Sequence, residues 1–141
     1  MKRPDDEPLR DEASAFATLF PWCRGAKLLH FDFDGGTEVA IYDAELKCDD
    51  GALWRVWILV GNLPPTIIPR EDYDSLGPAL ETQILNFEAW ADAADRGETS
   101  MGHYTPVFYR NSTREVEPSA RTAENIRAKM RMLREQVLTH L

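Results

Sequence analysis

The run LWRVWILV, Leu53–Val60, is apolar at both alternating sets of positions, with Arg55 the exception. Successive side chains of a strand point to opposite faces. A strand of this kind is therefore central in its sheet, with a neighbouring strand on each edge. Any fold proposed for the chain has to meet that demand.

One neighbour is legible immediately upstream. Between Ala26 and Asp34, Leu29, Phe31 and Phe33 alternate with His30, Asp32 and Asp34, the pattern of a half-buried strand. Gly35-Gly36 is a two-residue turn signal, and Glu38–Leu46 alternates again. A two-residue loop pairs Asp34 with Thr37, Phe31 with Ala40 and Leu29 with Tyr42. That register gathers Leu29, Phe31, Phe33, Ala40 and Tyr42 on one face, with Glu38 opposite Phe33 the one poor fit. CDDG, Cys48–Gly51, supplies the second turn. For the far edge of the central strand the candidate is PVFY, Pro106–Tyr109, whose proline suits an edge. The stretch GNLPPTIIP, Gly61–Pro69, reads as irregular, because its three prolines remove backbone donors.

Three helices complete the pattern. Leu9, Ala13, Phe16 and Phe20 share one face of the first, with Pro8 in its opening turn, Asp5 and Asp6 as caps and Pro21 as its end. The second carries Tyr73, Leu76, Leu80, Ile84, Phe87, Ala91 and Ala94 at helical spacing, with Gly97 as the C-terminal glycine. The third starts near Ser119 and buries Ile126, Met130, Leu133 and Val137. The expected fold is a single α+β domain over residues 1–141. It has an antiparallel three- to four-stranded sheet, a meander plus a short edge strand, with about three helices packed on one face.

Composition narrows the function classes. Of 141 residues 43% are hydrophobic and 28% charged, as in an ordinary globular domain. No apolar run reaches the roughly 18 residues a membrane span needs. The opening MKRPDDEPLRDE lacks the apolar region of a secretory signal, so a cytoplasmic location is expected. Cys23 and Cys48 are too few for a disulfide framework or a zinc site and read as reduced thiols. A net charge of −8 argues against a nucleic-acid surface and favours solubility or a basic partner. The charge is uneven, since Arg110–Leu141 holds 7 of the 16 basic residues but only 4 of the 24 acidic ones. The simplest reading has this basic segment packed on, or lying beside, the acidic body, in preference to a separate anion site.

HFDFDGGT, from His30 to Thr37, resembles the first motif of the haloacid-dehalogenase superfamily. That resemblance implies a nucleophilic Asp32, an acid-base Asp34 and Mg²⁺, hence a phosphohydrolase. The family also needs a Ser or Thr, a Lys and a further acidic pair along a parallel sheet. Nothing downstream of Asp34 matches those elements, so the hairpin reading is preferred. The alternation of His30, Asp32 and Asp34 also admits a metal site for Mg²⁺, Mn²⁺ or Zn²⁺. Alternate side chains roughly 7 Å apart allow at most two to share an ion, and a solvated polar face is the simpler reading. No nucleophile, base and acid fall into a recognisable arrangement, and no phosphate-binding or dinucleotide fingerprint is present, so no cofactor is expected.

Trp54 and Trp57 stand on opposite faces of the central strand. With helices on one face only, one of them needs cover from a partner, where a tryptophan is a strong anchor. DDGALWRVWILVGNLPPTIIP, followed by a helix ending in FEAWADAAD, resembles a small bacterial family with a domain of unknown function. The resemblance spans Asp43 to Leu141 and is most specific over Trp54–Pro64. It implies a bacterial cytosolic protein and no particular chemistry. The function expected is a non-catalytic protein-binding module, of immunity, antitoxin or regulatory type. Its binding residues are His30, Asp32, Asp34, Trp54, Trp57, Asn62, Pro64 and Pro65. The alternatives are the Mg²⁺-dependent phosphohydrolase and a structural homodimer.

Overall fold

The two-faced run forms the third strand of an antiparallel meander in the computed structural model. The structure describes the backbone of residues 7–34 and 39–141, and their side chains apart from residues 7, 8, 30–34 and 140. In chain order the elements are α1 (Glu7–Thr18), β1 (Cys23–Asp34), β2 (Val39–Cys48), β3 (Leu53–Gly61), β4 (Thr66–Pro69), α2 (Leu76–Asp95) and α3 (Ala120–Gln136). Short 3-10 turns follow β4 at Arg70–Asp72 and α3 at Leu138–His140. The sheet order is β1-β2-β3-β4 and every pairing is antiparallel. The α+β class, the meander and the three helices are as the sequence leads one to expect. The caps placed on Asp5 and Asp6 and the turn at Gly35-Gly36 lie outside the described residues.

The helices do not share a face. α1 lays Leu9, Ala13, Phe16 and Ala17 against Ala40, Tyr42, Ala44 and Leu46 of β2 and Val56, Ile58 and Val60 of β3. α2 and α3 cover the opposite face, over Val39, Ile41, Trp57, Leu59 and Ile68. The expectation of one covered face therefore gives way to two cores, and the reason is the central strand itself. A strand apolar on both faces is stabilised by about 1.5–3 kcal/mol for each large side chain buried, and the chain satisfies both faces from its own helices.

The far-edge strand also differs from expectation. It is β4, from within the proline-rich stretch, pairing Trp57 with Ile68 and Leu59 with Thr66. Thr66, Ile67 and Ile68 keep their N–H groups, and Pro69 sits at the end of an edge strand, where a missing donor is tolerated. The PVFY segment lies elsewhere. Phe108 bridges to Glu115, Tyr109 N–H donates to Arg114 O and Val116 N–H to Val107 O, forming a small hairpin. Its turn uses Asn111 at φ 60°, a conformation asparagine adopts readily.

The β1–β2 register is corrected as well. Phe31 pairs with Tyr42 and Asp34 with Ala40, in place of Phe31 with Ala40 and Asp34 with Thr37. Irregularities between Cys23 and Gly25, Leu28 and His30, and Phe31 and Phe33 shift the ladder. Such bulges insert unpaired residues and break a strict two-residue period.

Local chemistry fixes the helix ends. Gly97, at φ 85°, ends α2 in a Schellman motif, with Glu98 N–H on Ala93 O and Gly97 N–H on Ala94 O. Ser119 caps α3, its hydroxyl accepting from Thr122 N–H while Thr122 Oγ1 accepts from Ser119 N–H. The basic C-terminal segment is tied to the acidic body as its charge suggests. Arg127 reaches Asp92 and Asp95, and Arg134 reaches Glu88 at 2.7 Å. These hydrogen bonds hold both guanidinium pKa values above their ordinary position.

Candidate functional site

Three elements meet beyond the end of β3 to form a groove. Gly61, at φ 116°, turns the chain out of the sheet, and Leu63 and Pro64 then drop into the protein while Asn62 stays exposed. The Phe108–Arg110 limb of the hairpin forms the second wall, and the opening turns of α3 the third. The cavity is about 280 Å³. Its floor is apolar, from Leu63, Pro64, Phe108, Val116 and Ile126, while Asn62, Arg110, Arg121, Asn125 and Lys129 form the rim.

Asn62, Arg110 and Lys129 on the rim are positioned by nameable contacts. Lys129 Nζ donates to Asn62 Oδ1 at 2.8 Å and to Asn62 O at 3.4 Å, tying α3 to the loop. Arg110 Nη2 and Nε donate to the Glu12 carboxylate at 2.8–3.1 Å, anchoring the hairpin to α1. Glu12 also accepts the Gly61 N–H at 3.3 Å, so one carboxylate holds two walls. Thr122 is occupied by the α3 cap. Arg121 is different: it is exposed and makes no hydrogen bond or ion pair among the described residues. It stands in the first turn of α3, whose dipole adds positive potential. The lining carries no carboxylate, so the groove offers donors and positive charge above an apolar floor.

The structure assembles only part of the expected site. Asn62 and Pro64 line the groove, whereas Pro65 is buried behind it. Trp57 is only 2% exposed, sealed in the core under α2 and α3 with the Arg70 guanidinium 4.7 Å from its ring, so it is no surface anchor. Trp54 is half-buried on the α1 face, edge-on to Trp22 at 5.5 Å. It opens β3 and Asn62 lies just past its end, a separation of roughly 25 Å. The side chains of His30, Asp32 and Asp34 lie outside the described residues. The backbone ladder pairs His30 with Asp43 and Asp34 with Ala40. Among the described residues no group of three His, Cys, Asp or Glu side chains can hold a metal ion.

One charged cluster has no counterpart in the sequence reading. Asp43 is 2% exposed in the sheet and accepts from Arg55 at 2.7 Å and 3.3 Å and from Arg70 at 2.6 Å. Arg70 also stacks on Trp57. The available signal was Arg55, the one charged residue in the central strand. Its neutralising partner had to lie on the same face of β2, where Asp43 and Glu45 stand opposite Trp57 and Arg55. Among the described residues no helix is long and apolar enough to cross a membrane. No family model, curated protein or solved structure matches the chain.

Proposed function

We propose that this protein is a non-catalytic binding module that takes a carboxylate with an adjacent apolar side chain, presented by another protein, into the groove between β3, the 107–116 hairpin and α3. The observation that carries the reading is the exposed Arg121 beside Asn125 above an apolar floor. A guanidinium suits a planar carboxylate because it donates two parallel hydrogen bonds. The size of the groove points the same way. At about 280 Å³ it is smaller than most drug- or cofactor-sized pockets and fits one or two side chains. The acidic body, at −8 overall, steers a partner of net basic charge, and the groove selects a local carboxylate on it. A cytoplasmic setting belongs to the same proposal.

The phosphohydrolase alternative fares worse, because the family it resembles works from a parallel sheet and this sheet is antiparallel throughout. The homodimer would serve to cover a bare tryptophan face, and α1 covers that face within one chain. The test is affinity capture with the wild-type protein, Arg121→Glu, and the double variant Asp32→Lys with Asp34→Lys. A partner lost only from Arg121→Glu supports the groove. A partner lost only from the double variant moves the binding surface to the β1 tip.

A further inference from the structure

Cys23 opens β1 and Cys48 closes β2, and the two are directly opposite in the ladder. The flanking hydrogen bonds define what kind of pair they form. Asp49 N–H donates to Trp22 O at 2.8 Å just outside the pair. Cys48 N–H donates away from β1, to Ala52 O, and Cys23 N–H donates back to Phe20 O. Neither cysteine N–H points at the other residue, so this is a non-hydrogen-bonded position, the kind in which Cα atoms are about 4.5 Å apart and side chains closest. A disulfide requires Cα atoms roughly 4.4–6.8 Å apart. Directly opposite residues share a face, and Cys23 lies in the core beneath α1 with Leu46.

We propose that Cys23 and Cys48 form a thiol–disulfide pair that closes reversibly by exchange with a low-molecular-weight disulfide such as glutathione disulfide. Both cysteines are free thiols, Cys23 buried at 6% exposure and Cys48 half-buried. The order of events follows from that difference. The Cys48 thiolate attacks one sulfur of the small disulfide. Its S–S bond breaks, a mixed disulfide forms at Cys48, and the released thiolate takes up the proton that Cys48 gave up. Cys23 then gives up the weak hydrogen bond of its thiol to Gly25 O, at 3.5 Å, and its thiolate attacks Cys48 Sγ. The second small thiol leaves with the proton from Cys23. Two protein thiols are oxidised by two electrons and one small disulfide is reduced to two thiols. The new bond joins the open end of the β1–β2 hairpin, next to Trp22, which stacks on Phe20 and meets Trp54.

The experiment incubates the native full chain with glutathione disulfide, blocks remaining thiols with iodoacetamide and reads intact and tryptic masses. The expected product has lost the mass of two hydrogens, incorporates no alkylating agent, links the Cys23 and Cys48 peptides and reverts with a dithiol reductant. Cys23→Ser is expected to stop at a stable mixed disulfide on Cys48, and Cys48→Ser to stay unmodified. A wild-type protein that accumulates only the mixed disulfide, that dimerises through sulfur, or that closes the bond only in denaturant overturns the proposal.

Discussion

Arg110 and Glu12, 98 residues apart in the chain, form a two-nitrogen contact that joins the 107–116 hairpin to α1, and the same carboxylate accepts the Gly61 N–H. Glu12 is 9% exposed while Arg110 is half-exposed, so the pair is screened on one side. Glu12→Gln is expected to cost about 1–2 kcal/mol in urea unfolding, after that discount. Unfolding indistinguishable from wild type would mean that the groove walls are held by packing alone.

Asp43 is a second case. Its carboxylate neutralises Arg55 and Arg70 from a nearly fully buried position. Asp43→Asn leaves two guanidinium groups facing a neutral amide, and about 1–2 kcal/mol of stability should be lost, because Arg55 and Arg70 are 47% and 35% exposed and water takes up part of their charge. Arg127→Ala removes contacts to carboxylates that are 60% and 49% exposed, and should leave the unfolding midpoint nearly unchanged. Similar losses in the two variants would contradict a deciding role for burial in these ion pairs.

Much of the fold is legible in the sequence, and the failures have specific causes. Apolar spacing locates α2 and α3, and Gly97 and Ser119 mark a helix end and a helix start because each solves a local backbone problem. β4 escapes the pattern because three prolines look prohibitive, yet Thr66–Ile68 retain the donors an edge strand needs. The one-face assembly fails despite the plain message of Leu53–Val60, because alternation says that a face is covered and not by what. Of the groove, Asn62 and Pro64 can be read from their loop. Arg110, Arg121 and Asn125 cannot, since nothing in their spacing reveals that the hairpin and α3 converge on the end of β3.

Gln83 offers a gain of stability. Its Nε2 is buried and has no hydrogen-bond partner among the described residues. Gln83→Met keeps helix propensity and side-chain length while removing that donor. About 1 kcal/mol of added stability is expected, visible as a higher melting temperature. A loss on substitution would show that the amide is satisfied in solution.

Thiol reactivity should depend on pH in a defined direction. Burial holds the Cys23 pKa above its usual 9.0, reinforced by the nearby Cys48 and opposed by the hydrogen bond to Gly25. A raised pKa lowers the thiolate fraction at neutral pH, so alkylation of native Cys23 should be slow at pH 7 and accelerate through and above pH 9. Mass spectrometry of iodoacetamide-treated Cys48→Ser reads Cys23 alone. Rapid labelling at pH 7 would contradict the burial of this thiol.

Carboxylate capture by the groove is best tested by an NMR titration of the ¹⁵N-labelled protein with short peptides that carry a leucine beside a carboxylate. One peptide ends in a free C-terminus, one bears an internal glutamate with an amidated end, and a lysine peptide serves as control. Binding at Arg121 predicts saturable shifts at Asn62, Arg121 and Asn125 with a carboxylate peptide, no shifts with the lysine peptide, and their loss in Arg121→Glu. The first two peptides separate a chain terminus from an acidic side chain as the preferred ligand. Equal shifts with the lysine peptide, or shifts confined to the face of α1 or the tip of β1, would contradict a carboxylate-binding groove.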